Sequence, residues 1–268
     1  LAHHHELATG VGVKGRLREC AEVVVLAVFL SAAADFIMMM VLSGQPFDPG
    51  WSEVRNLAVM AAALPAPFLA AKWSGRSWRD LFGPAQRVRW GLLARCLLVA
   101  GGVYATVLAW RLASGGSINI ALVAACFIVV PLQAAAEEAI FRGSLPQLIG
   151  GSAWLAYGLP GLVFVVGHTG GPFSLVGVAA FAACVSYLAW RSDGLEAPVA
   201  LHTCTNLAFY VPLVCGSPVH IADFFINVAA PLCATGLIAL LLRRYPRNGY
   251  ASSPLPKKSS EPRTPGSA

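Results

Sequence analysis

Eight stretches of this chain are apolar for long enough to cross, or nearly cross, a lipid bilayer. A hydrocarbon core of about 30 Å needs roughly 20 apolar residues of helix. Runs near that length occupy approximately residues 23–43, 54–71, 90–110, 118–141, 153–168, 175–190, 198–214 and 224–242. Backbone amides cannot stay unpaired in lipid, so each run is predicted to be a helix. A membrane barrel would instead alternate with period two in segments of about ten residues, and no such alternation is present. Only 12% of the 268 residues are charged and 57% are hydrophobic. That is too little polar surface to clothe a soluble domain of this size. The predicted class is all-α, a polytopic membrane bundle of about eight transmembrane helices. Disorder, a coiled coil and a disulfide-stapled secreted domain are excluded.

The cations sort by connection. Lys14, Arg16 and Arg18 precede the first run, and Ala32-Ala33-Ala34 imitates a signal cleavage site. The apolar stretch continues past Asp35 to Leu42, beyond the roughly 7–15 residues of a signal core, so a retained first helix is predicted. With both termini inside, 16 of the 19 Lys+Arg fall in inside segments, Arg142 among them, and two, Arg55 and Arg111, fall outside. The excess predicts cytoplasmic N and C termini, and the compact architecture points to an integral protein of a bacterial cytoplasmic membrane. The net charge of +6 then reflects topology and contact with anionic lipid of the bilayer, with no nucleic acid as partner. Residues 1–20 are expected to be a cytoplasmic segment, 21–245 the transmembrane domain and 246–268 a disordered basic tail. The seven cysteines contain no C-x-x-C pair and read as small buried hydrophobes. His3-His4-His5 is a short tract with at most weak affinity for a metal.

Ionisable groups at membrane depth are costly and mark functional sites. Few are present: Asp35, Arg95, Glu137, Glu138, Arg142, His168 and His202, with the amide Asn206. Most fall into three patterns spaced i, i+4, which puts both members of a pair on one helix face. These are Glu137-Glu138-x-x-x-Arg142, Phe164-x-x-x-His168 and His202-x-x-x-Asn206. Singly, each is as easily an ion pair or an interhelical hydrogen bond. Three in order, on helices nearly bare of other charge, predict a site. Arg95 lies near the start of its run and can snorkel. Asp35 is expected to pair with Arg95 or to line the cavity, and neither is expected to be catalytic.

Glu138 and Arg142 stand in the favourable order for a helical ion pair. Glu137 is rotated about 100° away, and its i+4 neighbour, Phe141, cannot satisfy it. An unpartnered carboxylate in a low-dielectric setting is placed for general-base work. His202 and Asn206 offer two donors on one face, which suits an oxyanion hole. His168 can hold the water that Glu137 deprotonates. Glu137, His168 and His202 are equally a candidate ligand set for Zn²⁺ or another divalent metal, since three N/O ligands with an open position is the catalytic zinc pattern.

These motifs resemble the three signatures of the CPBP family, the CAAX-protease and bacteriocin-processing group of intramembrane proteases also called Abi. The resemblance runs over about 118–214 and extends to Phe141-Arg142-Gly143 and Pro198-Val199-Ala200-Leu201-His202. It implies an endopeptidase, a hydrolase cutting membrane-associated or lipidated proteins within the bilayer. Carried onto these positions, Glu137 is the water-activating base with His168 as its partner. His202 and Asn206 then stabilise the oxyanion, Glu138 and Arg142 support the site, and Phe164 packs beside it. The family is described as metalloproteases, which keeps zinc open. Two other readings compete: a proton-coupled transporter built on the intramembrane Glu, His and Arg, and a non-catalytic immunity or partner protein on the same scaffold. A shared site carries one geometric condition. The fourth helix must continue past Arg142 toward Gly150, and the fifth must either start within the membrane or stop early, near Gly170-Gly171-Pro172.

Overall fold

The computed structural model describes residues 13–41, 43, 48–169 and 171–245. The His3-His4-His5 tract and the 246–268 tail lie outside these described residues. Within them the chain is helical and has no strand. The elements are α1 (Val13–Val41), α2 (Pro49–Ala61), α3 (Ala66–Trp73), a 3-10 helix (Trp78–Ala85), α4 (Trp90–Ala113) and α5 (Ile120–Glu138). After α5 come a π turn (Ala139–Ser144), α6 (Leu145–Ile149), α7 (Ala153–Val166), α8 (Pro172–Ser192), α9 (Glu196–Val214) and α10 (Ile221–Leu242). Among the described residues every predicted run is largely helical, the second being split into α2 and α3 by a turn at 62–65. Seven helical segments are long and apolar enough to cross a membrane, and α7, with 14 residues, is shorter. At about 1.5 Å per residue, α7 extends only about 21 Å. The chain is a polytopic helical membrane bundle.

Helix α9 lies at the centre, packed against α4, α5 and α8. Small side chains make that possible, because they let helix backbones approach closely where lipid offers no hydrophobic drive. Ala100 of α4, Ala134 and Ala136 of α5, and Ala197 and Ala200 of α9 are all fully buried. Helix α1 is peripheral and buries only Glu19 and Val23.

Helix α5, the π turn and α6 form one continuous 30-residue segment, Ile120–Ile149. Pro146 has no N–H to give to the carbonyl four residues earlier, that of Arg142, and the ladder widens around this point. The segment ends at Gly150 and Gly151, at φ +64° and +77°, a conformation glycine adopts without steric cost. The fourth helix therefore does continue past Arg142. Arg142 is not a connection cation as the charge sorting placed it; it is 3% exposed, inside the segment. The early stop of the fifth helix is also present, since α7 ends at Val166.

Arginines gather at the end of the bundle where α4 and α9 begin. There Arg76 grips Glu19 through bonds of 2.8–3.0 Å and donates to Gln147 Oε1 at 2.9 Å. Gln147 Nε2 donates to the Asp80 carbonyl at 2.7 Å. Arg89 bonds both carboxylate oxygens of Glu196, tying α4 to α9. At the opposite end, Arg111 bonds Asp223 at 2.8 Å and Arg55 pairs with Asp35. The expected Asp35–Arg95 pairing is thus replaced. Asp35 and Arg55 sit at the same depth on neighbouring helices, whereas the Arg95 guanidinium lies 5.5 Å from the Tyr245 ring.

The 3-10 helix caps the arginine-rich end. Leu81 is 1% exposed. Gly83 has φ +68°, and a Cβ there would lie 2.3 Å from the Asp193 carbonyl oxygen. Gly75 has φ +76° with nothing within 4 Å of its Cβ position. Gly75→Ala is expected to cost about 1–2 kcal/mol of backbone strain alone. Gly83→Ala should cost distinctly more, because the backbone must also move. Melting temperatures of the two variants in detergent measure the difference, and equal shifts would remove the role given to the close approach.

Candidate active site

Glu137 and Glu138 end α5, where the π turn begins. Glu138 is fully buried. Its Oε1 accepts from Arg142 Nη1 at 3.2 Å and from His202 Nδ1 at 2.7 Å. Since that oxygen accepts, His202 carries a proton on Nδ1. The opposite ring nitrogen, Nε2, stands 3.6 Å from Glu137 Oε2, beyond hydrogen-bond length. Glu137 Oε2 is buried and has no hydrogen-bond partner. His202 therefore lies between two adjacent carboxylates, bound to one and facing the other. Arg142 balances them from behind, its guanidinium 4.6 Å from the Phe164 ring centroid.

Aromatic rings fix the imidazole. Phe181 meets His202 edge-on at 4.8 Å, and Phe164 meets Phe141 edge-on at 5.3 Å. Both are preferred geometries for rings with a polarised face and edge. Phe164 also lies 4.4 Å from the His168 ring. His168 follows the end of α7, and its Nδ1 donates to the Phe164 carbonyl at 2.7 Å. That bond leaves Nε2 as an acceptor in the neutral ring.

A cavity of about 410 Å³ joins these groups; Glu137, Phe164, His168, His202 and Asn206 all line it. Glu138 and Arg142 do not line it and form its backing. The expected residues thus collect at one place, with the pairs partly rearranged. Asn206 does not stand free beside His202; its Nδ2 donates to Gln133 Oε1 at 2.8 Å. Gln133 is 4% exposed, lines the same cavity and sits one turn before Glu137. It went unflagged in the sequence because a neutral amide carries no charge signal. Its i, i+4 relation to Glu137 was the available clue. Tyr104 and Arg111 of α4 also line the cavity and belong to none of the three motifs.

As placed, the donors do not fit a metal held by three protein ligands. Among the described residues no three His, Cys, Asp or Glu side chains gather at metal-binding spacing. The chemistry below is therefore derived from the side chains.

The fold and cavity define a class: a membrane bundle with a buried, partly unpartnered carboxylate and two imidazoles around an internal chamber. Residues 119–208 match the family model described as Type II CAAX prenyl endopeptidase Rce1-like. The matched segment, about a third of the chain, holds all three motifs, and this similarity agrees with the CPBP resemblance. No curated protein and no solved structure matches the chain.

Arg142→Met removes the guanidinium paired with Glu138. Breaking a buried pair from one side costs about 3–5 kcal/mol. Arg142→Met with Glu138→Gln removes both charges and is expected to recover most of that loss. A double variant as unstable as the single one, by thermal melting in detergent, would show that packing against Phe164, and not charge balance, sets the cost.

Proposed function

We propose that this protein is an intramembrane endopeptidase of the CAAX-protease type, hydrolysing peptide bonds of membrane-associated or lipidated proteins with water activated by Glu137. The observation that carries this reading is the buried Glu137 Oε2, unpartnered on a 410 Å³ cavity that His168, His202 and Asn206 also line. A buried acceptor without a partner is costly. A water between Glu137 and His168 Nε2 would satisfy it.

The steps follow from the donors. Glu137 takes a proton from the water, and the hydroxide oxygen bonds to the scissile carbonyl carbon. The carbonyl π electrons move to oxygen. In its charged form His202 donates from both ring nitrogens, through Nδ1 to Glu138 and through Nε2 toward the cavity. Before the proton transfer two carboxylates, one guanidinium and one imidazolium sum to zero; after it the oxyanion carries the negative charge that Glu137 gave up, and the sum is unchanged. The developing oxyanion accepts from His202 Nε2–H and from the Asn206 N–H not given to Gln133. Glu137 returns its proton to the leaving nitrogen as the C–N bond breaks. The products are a carboxylic acid and an amine.

In proteoliposomes carrying a lipidated membrane peptide, Glu137→Ala is expected to lower cleavage by about 100- to 10,000-fold, the range for a general base. Full-rate cleavage by that variant would overturn the mechanism. Wild type dialysed against a chelator is expected to keep its rate; loss restored by added Zn²⁺ would add a metal to the site.

Gln133→Met unlocks the Asn206 amide. A net hydrogen bond is worth about 1 kcal/mol, so kcat should fall several-fold with KM little changed. In an Asn206→Ala background the same substitution should cost nothing further. An additive loss there would show that Gln133 acts independently of Asn206.

A further inference from the structure

The cavity occupies one half of the bundle. Glu137 and His202 form its base. From there its lining runs toward the end where α4 finishes and α10 starts, past Arg111, two residues before the close of α4, and Asn227, in the second turn of α10. Asn56, Thr169 and Ser174 line it and are exposed, forming its rim. Helix α7 is too short to wall off this half.

The other half is filled. Behind Glu137 lies the sealed Glu138–Arg142 pair, 0% exposed at both side chains. Beyond it Leu81 and Leu195 close over Gly143, whose Cβ position would lie 3.3 Å from Leu195 and 3.4 Å from the Leu81 carbonyl oxygen. Then come the Arg76–Glu19 pair, which holds α1 to the connection after α3, and the Arg89–Glu196 pair, which holds α4 to α9. A peptide cannot reach Glu137 from this end without dismantling them.

The filled half is also the cationic one. With Arg142 placed in the membrane interior, 11 of the 15 Lys+Arg among the described residues belong to that end, against two for the open end. Such an excess places the cationic end inside the cell. We infer that the catalytic cavity opens to the extracytoplasmic side. Its substrates are then peptide segments presented from the outer leaflet, the outward-facing, membrane-proximal parts of exported or lipid-anchored proteins. Water for hydrolysis comes from the same side. The peptide-bond chemistry rests on the proteolytic reading above; the direction of opening does not.

The test uses full-length protein in cells, with Ser174→Cys at the rim and Lys72→Cys at the cationic end, each against the unsubstituted chain as baseline. A membrane-impermeant maleimide is applied to intact cells and to inside-out vesicles. Ser174→Cys should label at least several-fold above baseline in intact cells, and Lys72→Cys only in inside-out vesicles. Ser174→Cys labelling only from inside, or from neither side, overturns the open outward mouth. Lys72→Cys labelling in intact cells overturns the orientation. Peptide mapping of membranes from wild-type and Glu137→Ala cells tests the substrate class: Glu137-dependent cuts should fall in outward-facing segments, and cuts confined to cytoplasmic segments overturn it. Cleavage retained by Glu137→Ala would sink the catalytic reading while leaving the labelling result intact, so the two failures are separable.

Discussion

The 2.7 Å bond between His202 and Glu138 is the contact on which the rest of the site depends. It joins α9 to α5 at the middle of the bundle, and it sets the direction in which the second ring nitrogen points. A buried imidazole bonded at one nitrogen is a fixed object: its other nitrogen faces Glu137 because it has no freedom to face elsewhere. Arg142 keeps two adjacent carboxylates tolerable at that depth. The fully buried alanines at the α4–α9 and α5–α9 contacts bring the backbones close enough for side chains this short to meet. The arginine pairs at the bundle ends then fix how far each helix is inserted relative to its neighbours. A shift of one residue along α9 would move His202 by about 1.5 Å and break the bond.

Much of this was legible in the sequence. Hydropathy alone marked every membrane helix, because lipid permits no other structure for such runs. The three motifs marked the residues that gather at the cavity, since charge at that depth has few reasons to be there. What escaped depended on partners distant in sequence. Gln133 gains significance only once α9 lies beside α5 and Asn206 reaches it. Charge alone leaves Asp35 to pair with Arg95 or to line the cavity, yet Arg55 bonds it across the contact between α1 and α2. The helical reading of Glu138 and Arg142 assumed 3.6 residues per turn, whereas the segment opens into a π turn at Ala139. Pro146 was the local sign of that widening, and its effect is felt upstream of where it stands.

The two ends of the bundle divide the labour. One is packed and ion-paired, and the other encloses the chamber. Both arise from the same economy of polar residues: Arg76, Arg89 and Arg142 are consumed in closing one half, while Tyr104, Gln133, Asn206 and Asn227 supply the polar lining of the other. The chamber therefore combines neutral hydrogen-bonding groups with a cluster of charge at its base and the paired Arg111 toward its mouth, an arrangement that admits an uncharged backbone more easily than a charged side chain.

Helix α7 has a further consequence, for the surrounding lipid. Its length of about 21 Å falls short of a hydrocarbon layer of about 30 Å by nearly a third. Hydrophobic mismatch of this kind is relieved by local thinning of the bilayer or by lateral contact with another segment. Either response acts beside His168, which follows the shortened end. A thinned annulus would bring headgroups and water close to the chamber, and would lower the energy needed for a substrate to uncoil there and expose a peptide bond. The thickness of the host bilayer thereby becomes a physical variable of the reaction, coupled to the protein through a helix that is too short for it.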